Sequence, residues 1–438
     1  MDHITDFNNG HQGSLRLDYL PCVNYSMLLN KVNTCNLCEV ENHENADWRS
    51  VKVEVKGDFL KSCVQYADCI QAHQRIQLSA LKVEPIPDKL LNMTEMVDTT
   101  FTLTITSGED VLLVHDFPIS LMAYDQWTGS TVRPELLASF VTPNHPLISR
   151  VIVNASKYME KWTGSSAMDE YQTQDRHRAR LQVAAIYEAL RKEALVYVAP
   201  PASFEPMGQR VRLADRVLSE KLATCLDSTL LFASCLESVG LFPILVLLKG
   251  HIFLGAWLTE DIYAQNVGDD ASFLLKKCAD GVNDIVLVET TSLTSSDKVT
   301  FDDAVRLAVN ALKDEDRFLL FIDVHRCRLS NVRPLPQRIE HNGQWIVDNE
   351  GVKHDNATDK VEKLDHYALK IDEDKRLVTK QTIWERKLLD FSLRNNLINT
   401  KLGKRVIPFV SFGIEHLEDE LQEGKSFAMQ PYPKALYK

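Results

Sequence analysis

Apolar and polar residues alternate strictly in the first part of the chain and recur at helical spacing further on. Val51-Lys-Val-Glu-Val55 and Phe101-Thr-Leu-Thr-Ile105 have period two, the mark of strands with one buried face. Ser107-Gly108 follows as a turn signal, and Val111-Leu-Leu-Val-His-Asp-Phe117 reads as the return strand of a hairpin. Several short strands with polar turns over residues 15–125 predict a β-sandwich of immunoglobulin-like size. After residue 145 the period changes to that of helices at 147–162, 178–192 and 301–313. Residues 222–240 predict another: Leu226, Thr229, Leu230, Ala233 and Leu236 share a face, Thr224 is placed as N-cap, and Gly240 as the stop. Between and after these lie short apolar runs, 243–248, 285–289 and 318–324, that suit buried strands. Residues 145–335 are therefore expected to form an α+β domain. Residues 336–380 are polar, charged and aperiodic, and read as a linker. A last helix is predicted over 383–399, with Trp384, Leu388 and Phe391 on its apolar face, in a segment spanning 381–438.

Charge narrows the functional classes. Of 438 residues, 49 are Lys or Arg and 61 Asp or Glu, a net charge of −12. No global basic field points to nucleic acid or an anionic membrane. The N-terminal stretch is polar and acidic, unlike a signal peptide, and the longest apolar run is too short to span a bilayer. Nine cysteines scattered over so long a chain argue against a disulfide framework, so a soluble, cytoplasmic protein is expected. Cys35 and Cys38 have zinc-ligand spacing, with Cys22, His43, Cys63 and Cys69 nearby. No second such pair follows, so ordinary thiols are expected there, with no metal and no cofactor.

Cys225 stands at the predicted first turn of its helix, where the positive end of the dipole favours a thiolate. His251 opens the strand after Lys249-Gly250, and Glu289 ends the next. A cysteine nucleophile needs a base, and that base needs an acceptor to fix its tautomer. These three residues are the candidate catalytic set. Gln209 is a candidate oxyanion donor beside the Cys225 backbone N–H. Asp227, in the first turn, is expected to complement the helix dipole, and Trp257 to help exclude water.

Thr224-Cys225-Leu-Asp227, Gly240-Leu-Phe-Pro243, Gly250-His251 and Ala256-Trp257-Leu258 resemble the core of the transglutaminase-like cysteine peptidase superfamily, a papain-like α+β fold. The third member of that triad is normally Asp in an Asp-Pro-Thr run; here Val288-Glu289-Thr-Thr291 holds the place, one methylene longer. Asn144-His-Pro146, Tyr171-Gln-Thr-Gln-Asp175, Pro200-Pro-Ala-Ser-Phe-Glu205, Gln209-Arg-Val-Arg212 and the run from Asp323 to Pro336 resemble the N-terminal region of large bacterial proteins. In those, a β-sandwich and a transglutaminase-like domain precede an uncharacterised domain and a superfamily-one helicase. Trp384-Glu-Arg-Lys-Leu-Leu-Asp-Phe391 through Asn399 resembles the entry to that uncharacterised domain. The resemblance implies acyl hydrolysis or transfer on a protein or peptide substrate through Cys225, His251 and Glu289, linked to a helicase-based bacterial system. It equally implies a silent recognition or regulatory module for a DNA helicase, in anti-phage or anti-plasmid defence. A helicase or nuclease is the implied partner, and nucleic acid would be reached through the C-terminal segment, whose Arg394-Asn395-Asn396 face is read first as solvated. No membrane partner is expected. No Walker A loop occurs, so no motor is expected in this chain.

Overall fold

The computed structural model describes residues 2–347, apart from 8–9, 79–80, 201–207, 296–298 and 342. The chain divides into two units, 1–351 and 352–438, and the described residues all lie in the first. The helix predicted over 383–399 and its segment 381–438 fall outside them.

Nine strands occupy residues 2–121: β1 Asp2–Asp6, β2 Gly13–Tyr19, β3 Cys22–Val23, β4 Cys35–Asn42, β5 Trp48–Lys56, β6 Cys63–Ile70, β7 Arg75–Gln77, β8 Val97–Ser107 and β9 Asp110–Leu121. They form a four-stranded sheet in the order β1-β2-β4-β7 and a five-stranded one in the order β3-β9-β8-β5-β6. The alternating apolar residues of both sheets, among them Leu15, Leu17 and Val40 from one and Val53, Phe101 and Leu103 from the other, meet in a single core. Period two thus has its usual cause, one face buried and one wet. β1 lies ahead of the boundary expected at residue 15; it pairs antiparallel with β2, from Asp2 opposite Asp18 to Asp6 opposite Ser14.

Further on come four two-residue strands, β10 Gln126–Trp127, β11 Val196–Tyr197, β12 Gln209–Arg210 and β13 Leu222–Ala223. The longer β14 Pro243–Leu248, β15 His251–Trp257, β17 Ile285–Val288 and β18 Phe318–Asp323 join the short β16 Val267–Gly268. The last five make an antiparallel sheet in the order β16-β18-β14-β15-β17. Both of its faces are covered: Leu245, Leu247, Leu254 and Val288 enter one core, and Ile244, Val246, Phe253 and Leu287 the other. Coverage on both sides is why 243–248 reads as an unbroken apolar run. The long helices are α1 Pro146–Thr163, α2 Arg176–Arg191, α3 Cys225–Ser238 and α4 Phe301–Leu312. α3 lies within the first core, buried from Leu226 to Leu236, against β14, β15, α1 and α2. The described residues are thus a mixture of helices and several sheets, consistent with an α+β fold.

Residues 338–347, expected as linker, contain a hairpin of Arg338–His341 and Gln344–Val347. Arg338 stacks over Tyr124 at 4.2 Å and Trp345 at 4.3 Å, and Trp345 N–H donates to Asn92 at 2.7 Å. One arginine between two aromatic rings supplies the local anchorage that apolar periodicity does not reveal. Among the described residues no helix is long and apolar enough to cross a membrane.

Candidate active site

Cys225 is the first residue of α3, and the turn that presents it is tightly held. Thr224 caps the helix: its hydroxyl accepts from Asp227 N–H at 3.0 Å, while Asp227 Oδ2 accepts from Thr224 N–H at 2.9 Å. This reciprocal pair is a capping box. Asp227 is fully buried, and its carboxylate also accepts from Arg212 N–H at 2.8 Å and from Arg212 Nη1 at 3.2 Å. A buried carboxylate with three donors orients the helix end, and Cys225 with it. The Cys225 carbonyl accepts from the Thr229 hydroxyl at 2.7 Å and from the Ser228 hydroxyl at 3.1 Å.

His251 and Glu289 come from the two strands beside this helix end. β15 pairs with β17 so that Leu254 faces Val288. Glu289 follows β17 directly as the cap of the turn Thr290–Thr294, so the end of β17 and the start of β15 carry the two side chains. Two-residue turn Lys249-Gly250, with Gly250 at φ +72°, reverses the chain so that His251 opens β15. His251 Nε2 and Glu289 Oε2 are 2.8 Å apart. The other carboxylate oxygen, Oε1, accepts from Thr291 N–H at 3.0 Å and from the Thr291 hydroxyl at 2.7 Å. The Cys225 side chain neighbours the His251 ring closely enough to raise it, and with Nε2 engaged by Glu289, Nδ1 is the ring nitrogen that remains. Cys225, His251 and Glu289 therefore come together at this helix end. Thr290 closes the circuit, its hydroxyl 2.7 Å from that of Thr229, which bonds the Cys225 carbonyl.

The electrostatics follow from the contacts. Hydrogen bonding to Cys225 and then to Glu289 raises His251 to about 9, against the opposing effect of burial. Burial works to raise Glu289, but the His251 hydrogen bond and charge, with the two bonds from Thr291, hold it below the ordinary carboxylate range. His251 therefore contributes stability that is complete below about pH 6.5 and is lost as pH rises through about 9. Glu289, with its depressed value, contributes above about pH 4.5, a share lost as pH falls further. Replacing Glu289 with Gln removes the charge that holds the imidazolium. The His251 ring proton resonance is then expected to titrate at least about one unit lower than in the wild type. Titration unchanged near pH 9 would show that Glu289 does not govern the ring.

One family matches. The model described as "Protein of unknown function (DUF4011)" covers residues 387–437, outside the described residues. No curated protein and no solved structure matches the chain.

Two expected participants stand elsewhere. Trp257 is six residues from His251 along β15, about 20 Å at strand rise. Its indole N–H donates to the buried Asp323 at 3.0 Å, so it serves the core on the other side of the sheet and not the thiol. Gln209 lies in β12, opposite Trp127 of β10, and among the described residues no hydrogen bond joins it to Cys225, His251 or Glu289. Cys35 and Cys38 are buried in β4, and among the described residues no group of three or more His, Cys, Asp or Glu is placed to hold a metal.

Three supporting residues escape sequence reasoning. Thr229 reads as part of an apolar helix face, and Thr290 and Thr291 merely follow Glu289. Only the Thr-Thr pair after a strand-ending carboxylate is a signal.

Proposed function

We propose that the protein is a transglutaminase-like cysteine enzyme, with an immunoglobulin-like sandwich at its N-terminal end, that cleaves or transfers a peptide or amide acyl group. The observation that carries this reading is the His251 ring held by Glu289 at 2.8 Å, with Cys225 at a helix N-terminus beside it. In the reaction, Cys225 sulfur bonds the acyl carbonyl carbon and its proton resides on His251. As the carbon–nitrogen bond breaks, His251 gives that proton to the leaving amine, and a thioester remains. Water then attacks the thioester carbon and loses a proton to His251; the carbon–sulfur bond breaks and the sulfur regains a proton, freeing a carboxylic acid. An amine in place of water completes acyl transfer. Hydrolysis is the default, because nothing at the site marks an amine acceptor. Two backbone features suit the oxyanion: the Cys225 N–H at the helix start and the dipole behind it. A cytoplasmic protein acting on a protein or peptide substrate, beside a bacterial helicase system, is the setting we propose.

A second reading makes the fold a silent recognition module for a helicase or nuclease, with nucleic acid met by the C-terminal segment. Cys225→Ala would then leave cellular function intact.

The chemical test is competitive alkylation with limiting iodoacetamide at pH 7, read residue by residue by mass spectrometry. Burial pushes the Cys22 and Cys35 thiols up to about 11 and raises Cys38, Cys235 and Cys327 further, so all should react slowly. Cys69 is exposed and serves as the internal standard. Cys225 is expected to react at least about tenfold faster than Cys69. Equal rates would sink the enzymatic reading.

A further inference from the structure

We infer that Tyr197 forms the substrate-contacting wall of the Cys225 site and confers a preference for acyl groups with an aromatic or branched apolar side chain. The inference rests on the nucleophilic reading of Cys225 and adds the class of substrate.

Position is the first ground. β11 pairs in parallel with β13, Val196 opposite Leu222 and Tyr197 opposite Ala223. Val198 N–H donates to the Ala223 carbonyl at 3.1 Å, so the pairing runs on toward the nucleophile, two residues past Ala223. On its other flank β11 lies against the turn Thr290–Thr294 that follows Glu289. The strand therefore sits between the segment that carries the thiol and the one that carries the carboxylate.

Exposure is the second ground. Tyr197 is 52% exposed, whereas its partner Ala223 is wholly buried. A large aromatic side chain left in solvent, paired two residues before the reactive thiol, is a surface that gains by being covered. Among the described residues the Tyr197 phenol has no hydrogen-bond partner, so its O–H is free for the polar backbone of a bound substrate. Partial burial and the nearby negative charges of Cys225 and Glu289 raise the phenol above its usual range. It thus stays a neutral donor, without a charge that would repel an apolar group.

The test compares two alkylating agents on the full chain, iodoacetamide and N-benzyl iodoacetamide, with the rate read at Cys225. Wild type is expected to prefer the benzyl reagent. Tyr197→Ala should lower the ratio of the benzyl rate to the iodoacetamide rate by about tenfold. Tyr197→Phe, which keeps the ring, should retain the preference. An unchanged ratio in Tyr197→Ala overturns the inference while the thiol's reactivity stands. Cys225 reacting no faster than Cys69 with iodoacetamide overturns the nucleophilic reading and the inference with it. Loss of both rates in the Ala variant alone, with Phe intact, shows a structural role and also overturns it.

Discussion

His251→Ala is expected to slow alkylation of Cys225 by iodoacetamide at pH 7 by about 100-fold, the low end of what a positioned acid–base group supplies. The ring neighbours the thiol and is held at 2.8 Å by Glu289. Without it, the thiol must give its proton to solvent instead. The deficit should accordingly shrink as pH rises. That convergence separates loss of a proton acceptor from damage to the helix end, which would lower the rate at every pH. A rate at pH 7 within twofold of wild type would remove His251 from the chemistry.

Asp227→Ala should be the most damaging single change to stability. The carboxylate is fully buried and accepts from Thr224 N–H, Arg212 N–H and the Arg212 guanidinium. Alanine leaves two backbone donors and a nearly buried cation without an acceptor. Breaking a buried charge network of this kind costs about 3–5 kcal/mol, to which the lost cap contributes. A fall in Tm of roughly 10 °C is expected in a thermal melt. Asp227→Asn keeps the shape and one acceptor but turns an amide N–H toward the donors, so its loss should be intermediate. A fall under about 2 °C in the Ala variant would mean that the network does not hold this helix end. Because the same turn presents Cys225, the variant's alkylation rate should drop as well.

Much of the fold was legible because it follows from near neighbours. The alternation at residues 51–55 and 101–105 marks strands with one wet face, and β5 and β8 are such strands. The helix predicted at 222–240 is present as Cys225–Ser238 with Thr224 as its cap. The linker reading erred at residues 338–347, where an arginine sandwiched by rings replaces apolar packing. Trp257 was misplaced for a different reason. Its strand is buried on both faces, so sequence did not show which side, or which end, looks toward the thiol.

The chain's own sequence determined that a cysteine would open a helix, that a histidine would open a strand, and that a carboxylate would end the next. Those are local matters of capping, turn chemistry and apolar run length. Only the tertiary structure decided that the three would come together. His251 and Glu289 are 38 residues apart, and their contact depends on the pairing of β15 with β17, which sets the start of one strand beside the end of the other. Tertiary packing also bonded Thr229 to Thr290 across 61 residues and brought Tyr197 beside the thiol through a parallel strand pair. Such pairings are set by sheet order and core packing over the whole domain, which no window along the chain contains.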